Sequence, residues 1–155
     1  MTGAQTDLLN GLSEEDAARF LALGVPTSLA SGQTLFRLGT DADKAYLVKR
    51  GRIALTLPLQ IRGKEEEVLV EETLPGETVG WSGFVPPHRF TLNAAAAIDS
   101  ELLGFPRASV LDHFAAHPGV GHTVTRNLAA VIGHRLQVFQ TMWLREMQRV
   151  VEHYS

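Results

Sequence analysis

The stretch Ser31-Gly32-Gln33-Thr34-Leu35-Phe36-Arg37-Leu38-Gly39-Thr40-Asp41-Ala42-Asp43-Lys44-Ala45-Tyr46-Leu47-Val48-Lys49-Arg50-Gly51-Arg52-Ile53-Ala54-Leu55 decides the fold. Its apolar residues come in runs too short for helices, and each run stops at Gly, Asp or a charged pair. That is the texture of short antiparallel strands joined by tight turns. The glycines sit at the corners, where the chain needs a positive φ or a close backbone approach. Strands are expected at Thr34–Arg37, Lys44–Lys49 and Gly51–Leu57, with turns at Ser31-Gly32, Gly39-Thr40-Asp41 and Arg50-Gly51.

The same texture extends outward on both sides. Thr27–Leu29 precedes the stretch, and Glu66–Leu74, Phe90–Ala97 and Glu101–Pro106 follow it, with turns at Arg62-Gly63-Lys64 and Pro75-Gly76. A succession of short strands of this kind predicts a closed or two-sheet β structure over residues 27–106. The run Ala94–Ala97 predicts a tightly packed strand. Before it, Ser13 is a plausible N-cap followed by acidic residues in the first turn. Ala17, Phe20, Leu21 and Leu23 supply an apolar face, so a short helix is expected within 12–24.

After Pro106 the pattern turns helical, with a short helix at 107–116, a break at His117-Pro118-Gly119 and a long helix over 120–152. Leu128, Ile132, Leu136, Phe139, Trp143, Met147 and Val150 recur at steps of four or three, and Val120, Val124, Val131, Val138 and Met142 form a second stripe beside them. Together they are wider than the ~100° face of a helix resting on one surface. One stripe packs on the sheet structure; the other calls for a partner, and a second copy of the same helix is the simplest candidate. The expected homodimer interface comprises Val124, Leu128, Val131, Ile132, Leu136, Val138, Phe139 and Met142, with Gly133 permitting a close crossing.

Bulk properties exclude several functions. The chain has 155 residues, 45% of them hydrophobic and 20% charged, the composition of one globular domain. A net charge of −3 gives no field to draw nucleic acid or an anionic membrane. Without cysteine there are no disulfides, thiolate metal sites or cysteine nucleophiles. No signal-peptide pattern or ~20-residue apolar run is present, so a cytoplasmic protein without membrane contact is expected.

Histidine-based metal chemistry of the kind cupins use is also disfavoured, since His88 is the only histidine of residues 27–106. A haem or metal role for His113, His117 and His122 has only their spacing behind it. Ser82 between glycines lacks the spacing of a nucleophile elbow. The glutamate clusters Glu65-Glu66-Glu67 and Glu71-Glu72 read as solvated hairpin faces. No enzyme, metal site or cofactor is expected.

With the order short helix, short strands, short helix, long helix in place, the opening stretch resembles the first half of the cyclic-nucleotide-binding domain of the catabolite-activator (Crp/Fnr) superfamily. Leu74-Pro75-Gly76-Glu77-Thr78-Val79-Gly80 resembles the approach to that family's phosphate-binding cassette. Arg107-Ala108-Ser109-Val110-Leu111 resembles the short helix after its roll, and Arg126-Asn127-Leu128 falls where its dimerising helix begins. The resemblance implies a mainly β fold, a β-roll with flanking helices and a long dimerisation helix, with a regulatory, ligand-sensing role. The family's winged-helix DNA reader would follow the long helix; the chain stops at Ser155, so a stand-alone domain without DNA contact is expected, with Met1 and a natural-looking tail pointing to a complete chain.

The same resemblance makes Val79, Gly80, Trp81, Ser82, Gly83, Arg89, Phe90 and Thr91 the candidate ligand-binding residues. The family places a Glu after the cassette glycine, for a ribose hydroxyl, and an Arg about ten residues on, for the cyclic phosphate. Here Trp81 and Phe90 occupy those positions. Indole has one donor and no acceptor, and a phenyl ring cannot pair a phosphate. The usual nucleotide contacts are therefore absent. Arg89 lies one residue early, which on a strand points it to the opposite face unless Pro86-Pro87 shifts the register. Three readings stay open: a pocket repurposed for another small molecule, with Trp81 and Phe90 as walls and Ser82 and backbone amides as anchors; a pocket filled by Trp81 and Phe84; or a cyclic-nucleotide binder using Arg89 and the cassette amides in a shifted register. In each case the expected output is protein–protein contact.

Overall fold

A computed structural model describes residues 6–154. The elements run α1 (Glu14–Leu21), β1 (Val25–Leu29), β2 (Thr34–Phe36), β3 (Lys44–Arg50), β4 (Ile53–Ile61), β5 (Lys64–Thr73), β6 (Thr78–Val79), a single 3-10 turn (Trp81–Gly83), β7 (Asn93–Ala96), β8 (Ser100–Pro106), α2 (Arg107–Ala116) and α3 (Pro118–Tyr154). The strands form two four-stranded antiparallel sheets, ordered β1-β8-β3-β6 and β2-β7-β4-β5. This is the β-roll with flanking helices.

The observed boundaries differ from the sequence expectations for identifiable reasons. β1 begins at Val25 and includes Pro26, because β1 is an edge strand and Pro26 need donate no inner ladder bond. β4 continues past Leu57 through Pro58 to Ile61; β7 pairs with β4 only as far as Thr56, so Pro58 faces β5 alone. β5 correspondingly starts at Lys64. The expected strand Phe90–Ala97 begins only at Asn93. Phe90 instead trades backbone bonds with the loop before β3, its N–H donating to Thr40 O (3.1 Å) and its carbonyl accepting from Gly39 N–H (2.8 Å). β6, two residues long, carries too little pattern to be read in advance. α3 starts at Pro118, whose missing N–H is harmless in a first turn.

Two cores meet at the roll. The first lies between the sheets and includes Phe36, Val48, Ile53, Leu55, Phe90, Leu92, Ala94 and Leu102. The second lies under the helices, with Leu8, Leu9, Phe20, Leu47, Phe105, Val110, Val124 and Leu128. Phe20 stacks on Phe105 at 4.9 Å between ring centroids, which docks α1 onto β8. α3 closes the open end of the roll, burying Val120, Val124 and Leu128 in the second core and resting Phe139 on the first. At ~1.5 Å per residue its 37 residues span about 55 Å, and from Trp143 onward the helix is exposed.

The segment before α1 is a strap along β6. Asp7 accepts from the Thr78 amide (2.9 Å) and hydroxyl (2.6 Å), and its own N–H donates to Gly76 O (2.9 Å). Burial pushes the Asp7 carboxyl above its ordinary value of 3.8, and the Thr78 bonds only partly oppose this. A raised folded-state pKa means that ionising Asp7 opposes folding; its contribution is full below the ordinary value and is lost as pH rises through the raised one. Asp7→Asn should therefore gain stability relative to the native chain as pH rises through the acidic range, then hold a constant difference towards neutrality. Urea melts across pH test this, and a difference independent of pH would contradict it.

Candidate functional site

The cassette turn follows β6. Gly80 has φ +77°, in the left-handed region, and caps the 3-10 turn Trp81–Gly83. A side chain there would also strike the aromatic rings beneath: a Cβ would lie 3.0 Å from Phe36 Cε2 and 3.1 Å from Phe90 Cε1. Gly83 is pressed against β3, where a Cβ would lie 2.3 Å from the Lys44 carbonyl carbon. Local sequence thus enforces a tight turn laid directly on the roll. The amides of Gly83, Phe84 and Val85 donate to the turn's own carbonyls at Gly80, Trp81 and Ser82, at 3.0–3.3 Å.

Under this turn, where the family's ligand cavity would lie, Phe36 and Phe90 stack with centroids 3.7 Å apart and planes 3° from parallel. Tyr46 also stacks with Phe36, at 6.4 Å between centroids. The remaining space, bounded by Phe36, Leu55, Gly80, Trp81, Phe90 and Arg135, is about 10 Å³, room for about one water. Aromatic packing of this kind excludes a nucleotide unless the stack opens.

The candidate ligand residues divide sharply. Val79, Ser82, Gly83 and Phe90 are buried, Gly80 and Trp81 half-buried, Arg89 and Thr91 exposed. Trp81 does not fill the roll; it packs with Phe84 and Val85 against the helical core. The filling residue at the cassette is Phe90, and its partner Phe36 escaped the sequence reading. Its only prior signal was a large ring expected on a strand facing the alanine run: in the structure Phe36 pairs with Ala94, and the small side chains at Ala94 and Ala96 leave space for it. Arg89 points away from the roll, and its Nη1 donates to Gly39 O (2.9 Å) while its backbone bridges Asp41. Pro86-Pro87, joined by a cis bond, does not turn Arg89 inward.

The dimer candidates divide too. Val124 and Leu128 are buried in the chain's own core, and Ile132 and Phe139 pack on it; Val131, Val138 and Met142 are half-buried. Leu136 is exposed. The outward apolar line of α3 is instead Leu136, Trp143, Met147, Val150 and Tyr154, between 39% and 83% exposed. Sequence periodicity alone could not say which stripe the roll would cover.

Two charged groups complete the neighbourhood. Arg135, reaching from α3 to the cassette, has its Nε 2.7 Å from Glu71 Oε2, while His134 Nε2 lies 2.9 Å from Glu71 Oε1. Among the described residues no three His, Cys, Asp or Glu side chains gather as a metal set, and no helix is long and apolar enough to cross a membrane.

A roll of two four-stranded sheets, a cassette turn after β6 and a long helix across the open end define a cyclic-nucleotide-binding type of regulatory domain. Residues 26–117 match the Cyclic nucleotide-binding domain family, and the chain belongs to it. It is 27% identical over 143 residues to Glutaminase 1 of Bradyrhizobium diazoefficiens, covering 87% of this chain and only 21% of that protein. The Thermus thermophilus catabolite activator protein superposes with a TM-score of 0.75 at 25% identity, over 92% of this chain and 63% of its own. The N-terminal domain of a transcriptional regulator from Streptomyces coelicolor A3(2) gives 0.70 at 23%, over 85% and 90%. This chain thus spans about a fifth of Glutaminase 1 and 63% of the catabolite activator protein.

Proposed function

We propose that this chain is a dimeric regulatory module of the cyclic-nucleotide-binding family that does not take cyclic AMP or cyclic GMP in the family's usual way and signals through protein contacts. The Phe36–Phe90 stack carries this reading. It occupies the cavity under the cassette and leaves about 10 Å³. Neither usual polar determinant is supplied: Trp81 packs on the helices, and Arg89 is held by Gly39 on the outside. A buried phosphate without a cationic partner is strongly disfavoured. The filled cavity favours the filled-pocket reading over a repurposed one at this position.

Protein contact is the remaining output, and α3 is its vehicle. Ala129, Gly133, Leu136, Gln140, Trp143, Met147, Val150 and Tyr154 follow one another at alternating steps of four and three, the spacing of a two-stranded coiled-coil seam. A Cβ at Gly133 would meet nothing within 4 Å, which leaves room for a second helix to approach closely. Large exposed apolar residues repeated this way favour a second copy. The Glutaminase 1 relative, of which this chain matches 21%, supports the reading that such a domain can stand within a larger protein.

Calorimetric titration with cyclic AMP and cyclic GMP should give no binding heat; a Kd tighter than about 10 μM, roughly 7 kcal/mol, would overturn the reading and make Arg89 the residue to mutate. By sedimentation equilibrium the native chain should be a dimer, and Trp143→Glu with Met147→Glu should yield a folded monomer. A native monomer, or a variant still dimeric, would exclude this seam.

A further inference from the structure

A second cavity, of about 280 Å³, lies outside the roll between α3, the β5–β6 connection and the Asp7 strap. It is separated from the small space under the cassette by Arg135, which lines both. We propose that this cleft binds a small zwitterion carrying an ammonium and a carboxylate, the chemistry of a free α-amino acid.

Three observations lead there. First, the Arg135 side chain is only 11% exposed, yet its sole polar partner among the described residues is Glu71, reached through Nε. A guanidinium presents five N–H donors in a fixed fork suited to a carboxylate, and here the buried Nε, though ion-paired with Glu71, makes no hydrogen bond of good geometry. Second, Thr73 lines the same cleft, is 3% exposed, and its hydroxyl has no hydrogen-bond partner among the described residues. Buried hydroxyls are ordinarily paired. Third, the facing wall carries Asp7 and Glu77, whose carboxylates are held in place by the Thr78 amide and hydroxyl and by the Leu74 amide. With Glu71 these give the lining an excess of negative charge over Arg135, so a simple anion is repelled and a ligand with an ammonium is favoured.

A carboxylate facing Arg135 and His134, with an ammonium towards Asp7 and Glu77, satisfies both walls at once. Asn127 already donates to Leu8 and Asn10 carbonyls, at 2.8 and 2.7 Å, which fixes the strap as the cleft's floor. Because Arg135 sits on α3, occupancy would be felt by the helix without entry into the roll. The inference stands independently of what the cassette binds.

The test is a titration of the native chain with each of the twenty common L-amino acids, followed by amide and Arg135 Nε resonances in 1H–15N spectra. The expected result is that at least one shifts Thr73, Thr78 and Arg135 with a Kd below about 1 mM. Its methyl ester and its des-amino acid should each bind at least tenfold more weakly, as should the native ligand to Asp7→Asn, while Arg89→Ala leaves binding unchanged. A panel in which none of these resonances moves overturns the proposal. So does equal binding of the ester or the des-amino acid, which would make the site one for a plain cation or a plain anion.

Discussion

The rings of Phe36 and Phe90, 3.7 Å apart and nearly parallel, set the interior of the roll. Much of the surrounding sequence is constrained by them. Gly80 must be glycine both for its left-handed φ and because any Cβ would press on both rings. Ala94 and Ala96, facing inward from β7, keep the opposite wall low enough for a phenyl ring. Phe90 is held in place not by a strand but by two backbone bonds to the loop at Gly39 and Thr40, which also carries the outward-facing Arg89. Burying two phenyl rings in a close-packed interior stabilises the roll by several kcal/mol, on the order of 1.5–3 per side chain. A ligand entering there would have to replace that packing as well as supply its own contacts.

With the interior closed by apolar packing, polar contacts to α3 concentrate at the rim. Glu71 joins the roll to α3 through Arg135 and His134, and Asp7 joins the strap to β6. These charged groups are partly desolvated, so they fix orientation more than they add stability. The long helix is thereby anchored at its start by the apolar packing of Val124 and Leu128, oriented at its middle by Arg135, and left with an uncovered apolar line towards its end.

Much of the architecture was legible in the sequence because it rests on local rules. Glycine corners at Gly32, Gly39 and Gly51 have positive φ, and the change to helical periodicity after Pro106 marks the end of the roll. The errors fall where tertiary context overrides a local signal. The strands expected at Thr27–Leu29 and Gly51–Leu57 extend through Pro26 and Pro58, each of which lies where no inner neighbour needs its N–H. Phe90 read as a strand residue because its hydrogen bonds to a distant loop have no local signature. That Trp81 and Phe90 stand where the family places a Glu and an Arg was legible in the sequence, but the identity of the stacked pair was not: Phe36 lies 54 positions before Phe90, and only the fold brings the rings together. The two faces of α3 were likewise distinguishable only once the roll had chosen one.

The most direct test of the closed roll is the set of nuclear Overhauser contacts between the Phe36 and Phe90 rings, recorded with and without a large excess of cyclic AMP. The account predicts that these contacts persist unchanged and that no contact from the nucleotide to either ring appears. Loss of the ring–ring contacts with new contacts from the purine or ribose to Phe36 or Phe90 would contradict it, and would mean that the stack is a gate rather than a plug.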